Sequence, residues 1–151
     1  MPGLIAILLA SRWFLLFSRM LLTFVFWTGG LAGILDFAGR TAEMRDAGLA
    51  PPEAYVIAVT IVELAGSALV IANRWPWLGA GALGVFLILT IPIGHPFWAM
   101  AEPGRTASFF VALEHMSVIG GLMLAASLGH LTQNGGRRDA RPTGGAGRQR
   151  A

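Results

Sequence analysis

The chain contains no cysteine and no lysine, and only 13% of its 151 residues are charged. The absence of cysteine excludes disulfides, a CxxC redox pair, thiolate metal sites and a cysteine nucleophile within this chain. Any redox role must therefore use a bound cofactor or a partner. Ordinary soluble domains carry about 25% charged residues, so this chain has little with which to cover a water-facing surface. Catalytic signatures are missing as well: there is no glycine-rich phosphate loop after a strand, no GxSxG and no HExxH. Metal-ligand spacing is also absent, since His95 and His115 stand twenty residues apart and His130 lies further on. The residues name no catalytic group and no metal is expected.

Apolar residues are abundant, at 55% of the chain, and the mean hydropathy is +0.65. A soluble domain of this length hides only ~68–70% of the surface its unfolded chain exposes, whereas a bilayer solvates apolar faces directly. A span needs ~20 mostly apolar residues to cross a hydrocarbon core of ~30 Å. Four segments qualify, at about 13–35, 54–72, 75–93 and 107–128. A soluble hydrophobic bundle is disfavoured because these segments lack the polar stripe of a water-facing helix. The expected fold is therefore an all-α membrane protein, a bundle of four transmembrane helices filling residues 1–132. The run Leu4–Ala10 has no basic residues before it and is followed by Arg12. It reads as a lead into the first span and not as a cleaved signal.

The connections add detail. Residues 36–52 form the longest and most polar link, in which Thr41–Ala47 is expected to make a short amphipathic helix stopped by Gly48 and Pro51-Pro52. Residues 133–151 are rich in Gly and Arg with almost nothing apolar, so this tail is expected to be disordered. The net charge of +3 would point to nucleic acid only if the basic residues formed a stripe. They do not, and nucleic acid is not expected as a partner. Instead Arg12, Arg74 and the five tail arginines would share one side of the membrane, with Arg40, Arg45 and Arg105 opposite. That bias places both termini in the cytoplasm of a bacterial inner membrane. Trp13, Trp75, Trp77 and Trp98 fall near span ends, where indole rings favour the interface. Gly29, Gly33, Gly79, Gly81, Gly84, Gly120 and Gly121 read as sites of close helix packing.

Ionisable residues within spans are costly and point to function. Glu63, about 14 Å along its span at 1.5 Å per residue, must be protonated, paired or facing a wet cavity. It reads either as a proton-accepting or ligand-binding carboxylate or as a structural hydrogen-bonding group. Arg19 either snorkels to the interface or forms a structural ion pair with Glu63. Glu114 and His115 are adjacent, so they point about 100° apart on a helix and cannot face one spot. Asp36, His95 and Trp98 end their spans at one face and could line a common opening. The ligand-binding candidates are thus Asp36, Glu63, His95, Trp98, Glu114 and His115.

Five motifs in order resemble the DoxX family: Gly30-Leu31-Ala32-Gly33-Ile34-Leu35-Asp36-Phe37, Ala47-Gly48-Leu49-Ala50-Pro51, Glu63-Leu64-Ala65-Gly66, His95-Pro96-Phe97-Trp98, and His115-Met116-Ser117-Val118-Ile119-Gly120-Gly121. The resemblance covers about residues 15–127. It implies a four-helix bacterial membrane protein. The family includes small subunits associated with thiosulfate:quinone oxidoreductases, and some members are linked to oxidative-stress complexes. Asp36, Glu63 and His95-Pro96-Phe97-Trp98 occupy positions of recurrent family motifs. Two positions depart: Gly33 stands where members often have Lys, and Glu114-His115 where they often have Lys-Asn.

The expected function is that of an accessory or anchor subunit of a quinone-linked redox complex, not catalytic by itself. Quinone is the candidate cofactor, with the lipid bilayer, an oxidoreductase subunit and further copies of the chain as candidate partners. The alternatives are a small-molecule binding or transport protein using Glu63, and a structural scaffold that recruits partners.

Overall fold

Proline and glycine punctuate the fold where the sequence places them. Pro52 and Pro76 open two long helices. At the first helical turn the missing N–H costs nothing and the fixed φ is already helical. Gly48 follows another helix with φ +77°, a left-handed conformation that glycine adopts without steric cost. The computed structural model describes residues 2–139, with side chains described for 3–133.

In chain order the helices are α1 (Pro2–Ala10), α2 (Arg12–Leu22), α3 (Phe24–Leu35), α4 (Phe37–Asp46), α5 (Pro52–Ile71), α6 (Pro76–Gly94) and α7 (Gly104–Asp139). A single 3₁₀ turn, Phe97–Ala99, lies between α6 and α7. There is no strand among the described residues. Three stretches are long and apolar enough to cross a membrane: Pro52–Ile71, Pro76–Ala99 and Gly104–Gln133. They match the second, third and fourth expected spans.

The first expected span is not one uninterrupted helix. Its residues form α2 and α3, separated at Thr23. Backbone bonds run through the break, from Thr23 N–H to the Arg19 carbonyl and from Trp27 N–H to the Thr23 carbonyl. The Thr23 hydroxyl also donates to the Arg19 carbonyl at 2.8 Å, a back-bond that commonly bends helices. The lead-in residues form a separate helix, α1, bent by 61° from α2. Together α1 and α2 make a broken span or a re-entrant pair, bringing the candidate spans from three to at most four.

The short helix of the polar link is present and longer than expected. It begins at Phe37 because Asp36 caps it, its Oδ1 accepting the Gly39 N–H at 3.0 Å. Thr41 is buried, Arg40 and Met44 are half-buried, and Glu43, Arg45 and Asp46 are exposed. One face of α4 therefore turns to the bundle. α7 also differs from expectation, continuing beyond Leu128 to Asp139. The Gln133–Asp139 stretch expected to be disordered is helical here, because an established helix gains one hydrogen bond for each residue it adds. Residues 140–151, the rest of the expected tail, lie outside the described residues.

The buried core is small: Phe26, Val70, Ala80, Leu83, Leu87 and Leu122, drawn from α3, α5, α6 and α7. Most large apolar side chains lie outside it, Leu124, Leu131, Ile61 and Phe110 among them. Such an outer surface suits lipid and not water. Close backbone approach is bought at Gly79, where a Cβ would come 2.6 Å from the Gly66 carbonyl oxygen of α5. Gly29, Gly33 and Gly121 also pack against side chains of neighbouring helices. Gly81, Gly84 and Gly120 do not, since nothing lies within 4 Å of a Cβ there. Their expected packing role within the chain is corrected accordingly.

Candidate functional site

The polar residues of the spans fall into three separate places. Glu63 is the deepest of them. It sits on α5 at 5% exposure because its helix face (Val56, Thr60, Glu63, Ser67, Val70) packs inward at helical spacing. Opposite it α3 offers glycine: a Cβ on Gly29 would come within 2.8 Å of Glu63 Oε1, and one on Gly33 would strike the Thr60 hydroxyl. Glu63 Oε2 has no hydrogen-bond partner, and neither does the Ser67 hydroxyl one turn further on. Arg19 does not supply one. It is half-buried and forms no ion pair with Glu63 among the described residues. Of the basic groups, Arg40 of α4 is the one whose charge acts on Glu63.

Arg40 belongs to the second place, a cavity of about 320 Å³ beneath α4. Its walls are mostly apolar, with Val59 of α5 and Phe86, Leu89 and Ile93 of α6. Arg40, Glu43, Tyr55 and Thr90 bring polar groups to them. The Arg40 guanidinium is held by the Glu43 carboxylate at 2.7 Å. The Thr90 hydroxyl is engaged, donating to the Phe86 carbonyl. An apolar cavity with a few convergent polar groups is the usual form of a small-molecule site.

The third place is where α6 ends. His95, at the C-terminal end of α6, meets His115 of α7 edge to face, with ring centroids 5.4 Å apart. Sequence separation had set these two apart. The antiparallel packing of α6 and α7 joins them. Trp98 does not take part, being exposed with its ring against Phe97. Glu114, the neighbour of His115 on α7, is exposed and leaves the helix about 100° round from it. Asp36 is occupied as the cap of α4. The six candidate residues are therefore not one site: Glu63 stands alone, His95 and His115 pair, and Asp36, Trp98 and Glu114 lie apart.

The cavity residues were not foreseen. Tyr55 is the chain's single tyrosine and sits on the first turn of a span, a placement that could have drawn notice. Arg40 carried a signal only through its helix, whose inward face a linear reading of a polar link does not show.

Apolar helices long enough to cross a bilayer, an apolar outer surface and a small internal core define a multi-pass helical membrane protein. The profile of the DoxX family matches residues 14–96, more than half of the chain, and the protein belongs to that family. No curated protein and no solved structure gives a match to the chain.

Proposed function

We propose that the protein is an accessory or anchor subunit of a quinone-linked redox complex, folded as a four-span bundle in a bacterial inner membrane with both termini cytoplasmic. In this reading the remaining span joins α2 to α3 over Arg12–Leu35, with backbone bonds passing Thr23, and α1 is its lead-in, in place of the α1–α2 pair as the crossing unit. The observation that carries the ligand is the cavity beneath α4. At about 320 Å³ it is at the lower end of the roughly 300–1,000 Å³ usual for small-molecule sites. Apolar walls suit a quinone ring, and the Arg40 guanidinium and Tyr55 phenol are donors suited to a quinone carbonyl. With no cysteine in the chain, electrons would pass between the quinone and a partner, and this subunit would hold the ring and exclude water.

Photolabelling with an azidoquinone, mapped by mass spectrometry on protein in nanodiscs, tests the ligand. Labels concentrated on Val59, Leu89 and Ile93 and removed by unlabelled quinone are the expected result. Labels spread over the lipid-facing surface, indifferent to competitor, would refute it. Gentle purification tests the assembly. A stoichiometric oxidoreductase partner supports the subunit role, whereas a homo-oligomer carrying bulk lipid alone refutes it.

Glu63 favours a second reading, binding or transport of a small molecule through the bundle. Its Oε2 is buried with no partner, and the Ser67 hydroxyl beside it is in the same condition. In that case Glu63→Gln abolishes uptake while leaving quinone labelling intact. Unchanged uptake removes the carboxylate from consideration.

A further inference from the structure

The span Pro76–Ala99 is broken near its end. α6 stops at Gly94, His95 leaves the helical region at φ −133° and ψ 53°, and Pro96 leads into the 3₁₀ turn. Two prolines account for the break. Pro92 has no N–H for the Ile88 carbonyl and Pro96 has none for the Pro92 carbonyl, and a residue before proline is driven away from helical geometry. Non-helical backbone at membrane depth is tolerated where protein buries it or a polar cavity needs it.

At this break the ring of His95 meets that of His115, with centroids 5.4 Å apart and planes at 78°. Both residues are half-buried. The 3₁₀ turn is fastened to α7 further along by the Phe97–Phe109 ring contact at 5.3 Å. The Ser108 hydroxyl adds a hydrogen bond to the Met100 sulfur at 3.1 Å. These contacts fix the segment that follows His95 against the helix that carries His115.

We propose that His95 and His115 form a two-imidazole site for a divalent transition-metal cation of the Zn²⁺ or Cu²⁺ class. Two imidazoles on one ion, at about 2.0–2.1 Å and a near-tetrahedral angle, place their ring centroids roughly 5 Å apart. The observed separation is 5.4 Å. Imidazole is a ligand of choice for zinc, copper and nickel. No third His, Cys, Asp or Glu joins the pair among the described residues. The ion therefore keeps positions open to water or an outside ligand. The Ile88 and Pro92 carbonyls, deprived of their helical N–H donors, belong to the last turns before His95. This site is distinct from the cavity beneath α4 and does not depend on the quinone reading.

The test is metal titration of the full chain, carrying no histidine tag and stripped with chelator, in nanodiscs. Zn²⁺ and Cu²⁺ are each expected to bind at one ion per chain, with the Cu²⁺ resonance spectrum showing nitrogen ligands. His95→Ala and His115→Ala should each weaken binding by more than the roughly 10–100-fold typical of losing an outer-sphere partner. His130→Ala, at the other end of α7, should leave it unchanged. Absence of stoichiometric binding, or binding indifferent to both substitutions, overturns the proposal. Should either variant lose the helical circular dichroism of the native chain, the native protein is footprinted with diethylpyrocarbonate. Joint protection of His95 and His115 by Zn²⁺ supports the site, and equal modification with and without Zn²⁺ overturns it.

Discussion

The carboxylate of Glu63 lies directly against the backbone of Gly29: a methyl group there would sit 2.8 Å from its Oε1. A methyl on Gly79 would meet something less yielding, the Gly66 carbonyl oxygen at 2.6 Å and the Leu69 Cβ at 2.8 Å. The two glycines therefore predict different costs. In Gly29→Ala the obstacle is the end of a side chain that can swing aside. In Gly79→Ala it is backbone, so α5 and α6 must separate. Overpacking of this kind costs about 1–3 kcal/mol, and Gly79→Ala is expected near the upper end with Gly29→Ala near the lower. Thermal unfolding of the two variants in detergent checks the order, and equal costs would count against the described α5–α6 approach.

Glu63 and Ser67 carry buried oxygens with no partner, and that predicts the sign of two further substitutions. Replacing a partnered buried group costs stability, whereas removing an unpartnered one relieves a desolvation penalty of about 1–3 kcal/mol. Ser67→Ala is expected to raise the unfolding temperature. Glu63→Leu removes both carboxyl oxygens at similar length, so it should leave stability unchanged or raise it, whereas Glu63→Gln keeps unpartnered polar atoms there and should gain less. Thr23→Ala is the contrast, because the Thr23 hydroxyl is bonded to the Arg19 carbonyl. A loss of several degrees in Ser67→Ala would show that its hydroxyl has a partner after all.

The sequence carried the helices better than it carried their meetings. Pro52, Pro76 and the long apolar runs mark three span boundaries to within a few residues, because hydropathy and proline act locally. The break at Thr23 was not legible, since Thr is common within spans and its back-bond is a detail of geometry. The His95–His115 pair was hidden for another reason. Their contact depends on how far α6 and α7 slide past one another, which close packing at Gly129 against Pro76 helps to fix. The cavity was hidden because α4, read as part of a polar loop, gives no sign that Arg40 and Met44 turn inward.

Asp36 was a ligand candidate by position, and its side chain instead caps α4. Asp36→Ala should therefore destabilise this helix by about 0.5–2 kcal/mol and loosen the roof of the cavity, while Asp36→Asn should retain most of the cap. Hydrogen exchange over Phe37–Asp46 reads this directly. Faster exchange confined to α4 in Asp36→Ala is the expected pattern. Exchange unchanged in both variants would return Asp36 to the list of groups free to bind a ligand.

The cavity itself makes the sharpest demand. If a quinone ring occupies the space between α4, α5 and α6, filling that space should expel it without touching any polar group. Leu89 lines the cavity and is more than half exposed, so Leu89→Trp adds bulk with little strain on the core. Quinone photolabelling should then fall to background. Tyr55→Phe removes one donor, worth about 0.5–1.5 kcal/mol for a neutral hydrogen bond, and should weaken binding by roughly tenfold at most. Arg40→Gln removes a donor and also frees Glu43, whose carboxylate the guanidinium now holds at 2.7 Å. An unpaired carboxylate at the cavity repels carbonyl oxygens, so Arg40→Gln should weaken binding more than Tyr55→Phe does, and Arg40→Gln combined with Glu43→Gln should recover part of the loss. A double substitution no better than Arg40→Gln alone would mean that the guanidinium acts by direct contact and not by neutralising Glu43.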